Sequence, residues 1–126
     1  MTHPFIFWGA ANAALAVAMG AFGAHGLKAA LAPDLLAVYQ TGAQYHIFHA
    51  LGLLLVGIIA SNGPRALLSW AGWLLFAGIV LFSGSLYLLA ISGERWLGMI
   101  TPFGGTAFIA GWVLLAIASL KRGPGA

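Results

Sequence analysis

The side chains able to do chemistry in this chain are histidines, tyrosines and a serine set in otherwise apolar stretches. They are His25, Tyr45, His46, His49, Ser83 and Tyr87. Ionisable groups inside a membrane-length apolar segment are costly, so their presence needs a reason. His46 and His49 stand three residues apart, a spacing that puts both imidazoles on one side of a helix and within reach of one ion or ligand.

These residues are interpreted in three ways. The first is a polar cluster inside a non-enzymatic protein, serving structure or binding a lipid or other small ligand; no acid and nucleophile pair suited to catalysis is present. This interpretation leads, and it expects no cofactor. The second is a metal- or haem-binding oxidoreductase subunit that uses His25, His46 and His49, because neutral imidazole is a common metal ligand. The third is a proton or ion pathway.

The composition requires that a lipid bilayer surrounds the chain. The 126 residues are 62% hydrophobic and 6% charged, with a mean hydropathy of +1.00, which leaves too little charge to cover a soluble domain. The five Lys and Arg residues are scattered, and nucleic-acid binding needs a clustered basic surface. The chain contains no cysteine, so disulfides and thiolate ligands are excluded.

Four apolar runs predict an all-α, polytopic membrane protein folded as a four-transmembrane-helix bundle. We treat residues 1–126 as one membrane domain, with spans near 4–24, 33–61, 65–92 and 102–120. Pro4, Pro33 and Pro102 each suit a first helical turn, where a missing amide donor is harmless.

Helical periodicity assigns a face to several of these residues. In the second span, Gly42, His46, His49 and Leu53 share the side that faces the bundle, whereas Leu51 lies opposite.

The first span has small residues on both sides. They include Asn12, Ala16, Gly20 and Ala24 on one side and Ala10, Ala14 and Ala18 on the other. Such stripes permit close helix approach in lipid, so we expect this helix to sit between two neighbours. The fourth span carries a similar stripe of Gly104, Ala107, Gly111 and Ala118.

Four spans place both termini on one side of the membrane. That side carries the basic residues Arg65, Lys121 and Arg122, and the other carries Lys28 and Arg95 with the acids Asp34 and Glu94. The positive-inside rule then predicts cytoplasmic termini. Gln40 and Gln44 fall on the lipid side of the second helix, so we expect them to lie at headgroup depth or to contact another subunit. The second alternative suggests a homo-oligomer or membership of a larger membrane assembly.

Four motifs resemble those of a known family. They are GAFGAHGL at 20–27, YQTGAQYHIFHALGLL at 39–54, FSGSLYLLA at 82–90 and ITPFGGTAFIAGW at 100–112. In this order they are similar to the domain of unknown function 423 family of small bacterial inner-membrane proteins. The resemblance implies a four-span fold in the bacterial inner membrane and supplies no activity. By analogy, it directs attention to the motif residues Gly23, His25, Gly26, Tyr39, Tyr45, His46, His49, Ser83, Tyr87, Pro102 and Gly105.

Overall fold

Four long helices make up the computed structural model, which describes residues 3–62 and 65–121. Their bounds are α1 Pro4–Leu27, α2 Pro33–Ala60, α3 Ala66–Ser92 and α4 Thr101–Leu120, with a short 3-10 helix Arg95–Met99 before α4. The described residues contain no β-strand. Each of the four helical segments is long and apolar enough to cross a membrane. The predicted all-α, four-helix membrane fold is therefore confirmed.

Two of the helices contain a π-helical turn, in which one extra residue widens the hydrogen-bonded ring. In α1 this turn is Gly23–Leu27, and in α3 it is Ile79–Ser83. Because the wider turn changes the helical phase, Gly23 becomes buried while Ala24 is exposed. The first helix thus continues through the GAHG motif, three residues beyond the end expected near residue 24.

Glycines bring α1 and α2 into close contact. A Cβ at Gly9 would lie 2.5 Å from the backbone nitrogen of Leu54, and one at Gly57 would lie 2.6 Å from that of Ile6. Neither backbone can move aside, so only hydrogen fits at these two positions. Small residues at helix contacts are the expected device in lipid, where packing drives association.

The opposite side of α1 has no neighbour among the described residues. Ala10, Ala14 and Ala18 are all exposed, so the expectation that α1 sits between two helices was wrong. The buried face of α1 instead consists of Phe5, Gly9, Ala16 and Gly23. Since α1 and α4 flank the central pair α2 and α3, one face of each outer helix is left to the lipid.

The fourth helix packs against α3 along its small stripe. A Cβ at Gly104 would lie 2.3 Å from the backbone nitrogen of Phe82, and one at Gly111 would lie 2.9 Å from the side chain of Leu75. Gly104, Gly111 and Ala118 are buried. The predicted close packing of this face is confirmed.

Contacts between loops and termini join elements on both sides of the membrane. On the side of the termini, Arg65 donates through Nη2 to the carbonyl of Ala118 at 2.5 Å and to that of Lys121 at 3.2 Å. On the other side, Arg95 pairs with Asp34 at 2.9 Å. The loop residue Arg95 therefore has a carboxylate partner at the start of α2. Arg122 lies outside the described residues.

Candidate functional site

His46 is the centre of a buried polar network that joins three helices. Its Nδ1 lies 2.9 Å from the hydroxyl of Tyr87 on α3, and its Nε2 lies 3.0 Å from Oδ1 of Asn12 on α1. The side chain is 2% exposed. Both ring nitrogens therefore have a protein partner, as a buried imidazole in an apolar interior requires.

The partners of Asn12 determine the tautomer of His46. Asn12 donates from Nδ2 to the carbonyl of Trp8 at 2.9 Å, which turns Oδ1, an acceptor, toward the imidazole. The proton of His46 must then lie on Nε2 and be donated to Asn12. The unprotonated Nδ1 accepts from the Tyr87 hydroxyl, so the hydroxyl hydrogen of Tyr87 and the ring hydrogen of His46 each have an acceptor.

Two further contacts hold this network in place. Tyr39, which is fully buried, donates its hydroxyl to the carbonyl of Met19 at 2.6 Å, and its ring centroid lies 5.1 Å from that of Tyr87. The ring of Tyr39 occupies the space beside Gly23, where a Cβ would lie 2.5 Å from it. The π-helical turn of α1 thus provides the gap that receives Tyr39.

Ser83 ties α3 directly to the backbone of α2. Its hydroxyl donates to the carbonyl of Gly42 at 2.8 Å, and the side chain is 1% exposed. A Cβ at Gly42 would lie 3.2 Å from Leu86. The serine and glycine therefore allow α2 and α3 to approach closely one turn away from His46.

His49 belongs to a separate, aromatic environment between α2 and α4. Its ring stacks on Phe108 with centroids 3.5 Å apart and lies 5.8 Å from the ring of Trp112. Nδ1 is 2.7 Å from the carbonyl of Tyr45. A carbonyl can only accept, so Nδ1 carries the proton and Nε2 the lone pair.

Tyr45 contacts His49 and Phe82 through its ring and not through its hydroxyl. The ring is parallel to that of His49 at 6.0 Å and lies 4.7 Å from that of Phe82. The side chain is 40% exposed, and its hydroxyl has no hydrogen-bond partner among the described residues. Tyr45 thus lines the aromatic environment of His49 and is not a member of the His46 network.

His25 does not join either group. It is exposed on the π-helical turn of α1. Within residues 3–62 and 65–121, no three His, Cys, Asp or Glu side chains are placed to hold one metal ion. The structure therefore does not bring the candidate ligands His25, His46 and His49 together.

Sequence reasoning missed Asn12 and Tyr39 as members of the site. Asn12 was interpreted only as a small residue on the packing stripe of α1, and Tyr39 only as part of a family motif. The available signal was chemical: Asn12 is an amide inside a membrane-length apolar run, and such groups face a polar partner in the bundle.

The helices and the buried network define a class of protein: a small integral membrane protein with four spans, three of which are joined by a buried hydrogen-bond network. Comparison with known proteins places it more narrowly. Residues 19–105 match the family described as "Protein of unknown function (DUF423)". The chain belongs to this family, and the resemblance of its motifs is confirmed.

The relatives include several named membrane proteins. UPF0382 membrane protein YwdK of Bacillus subtilis is 52% identical over 118 residues, which cover 93% of this chain and 96% of the relative. A UPF0382 membrane protein of Staphylococcus epidermidis is also 52% identical, and one of Staphylococcus aureus is 49% identical, each covering 93% of this chain and 95% of the relative. No solved structure matches the chain.

Proposed function

We propose that this protein is a non-enzymatic membrane protein in which the His46 network fastens α1, α2 and α3 to one another. The observation that supports this is the pairing of both ring nitrogens, with Tyr87 at 2.9 Å and Asn12 at 3.0 Å. No lone pair of the imidazole is left for a metal or a substrate. Side-chain hydrogen bonds between membrane helices contribute to their association.

The test is whether His46 binds a metal or haem. Purified protein in nanodiscs is titrated with Zn²⁺, Cu²⁺ and haemin while the ¹⁵N resonances of His46 are followed by NMR. We expect both resonances to stay unchanged, with Nε2 protonated. A one-to-one complex that disappears in His46→Leu would overturn the proposal, and His25→Leu serves as the control because that side chain is exposed.

The two alternative functions draw less support from the geometry. The metal or haem alternative needs His25 beside His46 and His49, yet His25 is exposed on α1. The proton-pathway alternative needs a continuous relay. Instead, the hydrogen bonds from His46 reach the backbone carbonyl of Trp8 through Asn12, and a carbonyl offers no proton to pass on.

The single domain, the bacterial inner-membrane location and the cytoplasmic termini are parts of the same proposal. Arg65 and Lys121 lie on the side of the termini, and Asp34 pairs with Arg95 on the other side. Because the chain lacks cysteine, a single cysteine placed at Lys28 or at Lys121 reports its side directly. Labelling of intact cells by a membrane-impermeant maleimide should modify the first and spare the second.

Self-association is likewise proposed. Gln40 and Gln44 are both exposed on α2, at positions where a bilayer offers few partners for an amide. Native mass spectrometry in mild detergent should detect a multimer that is lost in Gln40→Leu/Gln44→Leu. A monomer at every concentration would refute self-association.

A second candidate function is the binding of a lipid acyl chain. A groove of about 450 Å³ lies between α3 and the 3-10 helix, lined by Tyr87, Leu88, Leu97 and other apolar side chains. Its size falls in the range of small-molecule pockets, which are mostly apolar. Gly84 lines the groove and has open space beside its Cα, so Gly84→Phe should fill it. Lipid retained through purification should then fall, whereas Gly20→Phe, at another open glycine, should leave it unchanged.

A further inference from the structure

The imidazole of His49 has an unused acceptor in the interior of the membrane. The side chain is 7% exposed, and its Nδ1 proton is donated to the carbonyl of Tyr45. Nε2 has no hydrogen-bond partner among the described residues. It is not fully buried either, because the side-chain atom that is both fully buried and unpaired in the described part of the chain is Nε of Arg65, not Nε2 of His49. The Nε2 lone pair of His49 is therefore open to the surface between α2 and α4.

The depth of His49 limits what can reach this lone pair. Along α2, Pro33–Ala60, His49 is 16 residues from the first residue and 11 from the last, or about 24 Å and about 17 Å at 1.5 Å per residue. This places the imidazole in the hydrocarbon interior, whose thickness is about 30 Å. Water and lipid headgroups, which carry most hydrogen-bond donors in a membrane, lie nearer the interfaces. A donor for Nε2 must then lie at this depth, on a molecule that dissolves in the bilayer interior or on a second copy of the chain.

The surroundings of His49 favour a planar molecule. Phe108 covers one face of the imidazole at 3.5 Å, while Tyr45 and Trp112 flank it and are 40% and 38% exposed. Their exposed rings offer flat surfaces for offset or edge-to-face aromatic contacts. The indole N–H of Trp112 also lacks a partner within the described part of the chain. A hydroxyl on an aromatic ring both donates and accepts.

We propose that the His49 edge between α2 and α4 binds a membrane-soluble aromatic alcohol of the phenol or hydroquinone class. Its hydroxyl donates to Nε2 of His49, and its ring packs against Tyr45 and Trp112. This site does not depend on the proposed role of His46, because His46 faces α1 and α3 and has both nitrogens paired. Failure of either proposal therefore leaves the other standing.

The test uses two probes that differ only in whether the oxygen on the ring carries a hydrogen or a methyl group. Protein labelled with ¹⁵N-histidine, in nanodiscs of phosphatidylethanolamine and phosphatidylglycerol, is titrated with 4-octylphenol and separately with 4-octylanisole, which cannot donate. We expect the Nε2 resonance of His49 to move with the phenol and not with the anisole. The two resonances of His46 are the internal control and should stay fixed in both titrations.

The affinities from these titrations give a second criterion. A hydrogen bond to an otherwise unpaired acceptor should favour the phenol by about tenfold. In His49→Phe, which keeps a planar ring beside Phe108, the ratio of the two dissociation constants should fall to about one. The proposal is overturned if wild type does not discriminate, if His49→Phe still does, or if Nε2 of His49 is already hydrogen-bonded before a probe is added, as it would be when a second copy supplies the donor.

Discussion

Removing the hydroxyl of Tyr87 is the most direct perturbation of the His46 network. Tyr87→Phe leaves Nδ1 of His46 without its donor at 2.9 Å while the ring stays in place. Side-chain hydrogen bonds in membrane proteins contribute about 0.6 kcal/mol on average and up to about 1.7 kcal/mol, and an unsatisfied buried acceptor costs about 1–3 kcal/mol. Because His46 is 2% exposed and no solvent can replace the donor, we expect the free energy of unfolding to fall by about 1–2 kcal/mol.

Tyr45→Phe is the matched control, since it makes the same chemical change on a neighbouring helix. The hydroxyl of Tyr45 has no partner among the described residues, so its removal should change stability by less than about 0.5 kcal/mol. Both variants can be measured by reversible unfolding in mixed micelles of sodium dodecyl sulfate and dodecylmaltoside, with tryptophan fluorescence as the signal.

A double-mutant cycle separates the hydrogen bond from other effects of the substitution. In the background of His46→Leu, Tyr87→Phe removes a hydroxyl that no longer has its acceptor, so its effect on stability should differ from that in wild type by about 0.6–1.7 kcal/mol. Equal losses from Tyr87→Phe and Tyr45→Phe, or strict additivity in the cycle, would refute the assignment of His46 as the acceptor.

Three further outcomes are expected. Gly9→Ala should destabilise the protein by about 1–3 kcal/mol, because its Cβ would meet the backbone of α2 at 2.5 Å. Gly20→Ala is the control: it has open space beside it and should be neutral or slightly stabilising in the same unfolding assay. Ser83→Ala should lower the free energy of unfolding by about 0.5–1.5 kcal/mol through loss of its buried hydrogen bond to α2, and an unchanged midpoint would contradict that contribution. Exchanging the charges in Asp34→Arg/Arg95→Asp should leave the midpoint of unfolding nearly unchanged, since both side chains are largely exposed. Any effect should shrink as salt is added.

The sequence predicted the parts of the structure that depend on local periodicity. Gly42, His46, His49 and Leu53 are all buried along one side of α2, because a regular helix repeats its face every 3.6 residues. The lengths of the four apolar runs likewise predicted the four membrane spans. The same reasoning failed for Ala24, which is exposed, because the π-helical turn adds a residue and rotates the end of α1 away from its expected phase.

The candidate site was predicted as one cluster and is found as two. Residues three apart on a helix differ by about 60° around its axis. That angle is enough to aim His46 at α1 and α3 and His49 at α4. Periodicity assigns a broad face but not the neighbour that each residue meets. Asn12 lies 34 residues from His46, and a contact between helices at that separation follows from tertiary packing, which one sequence does not display.

The three hydrogen bonds around His46 all point in one direction. Tyr87 donates to His46, His46 to Asn12, and Asn12 to the carbonyl of Trp8. Hydrogen bonds in such a series polarise one another, so each link strengthens the next. The direction of this series of hydrogen bonds is fixed by its last acceptor, because the carbonyl of Trp8 can accept but never donate. A substitution at Asn12, on the outer helix α1, should therefore weaken the hydrogen bond from Tyr87 to His46. A change on an outer helix would in this way alter a contact of the central helix α3.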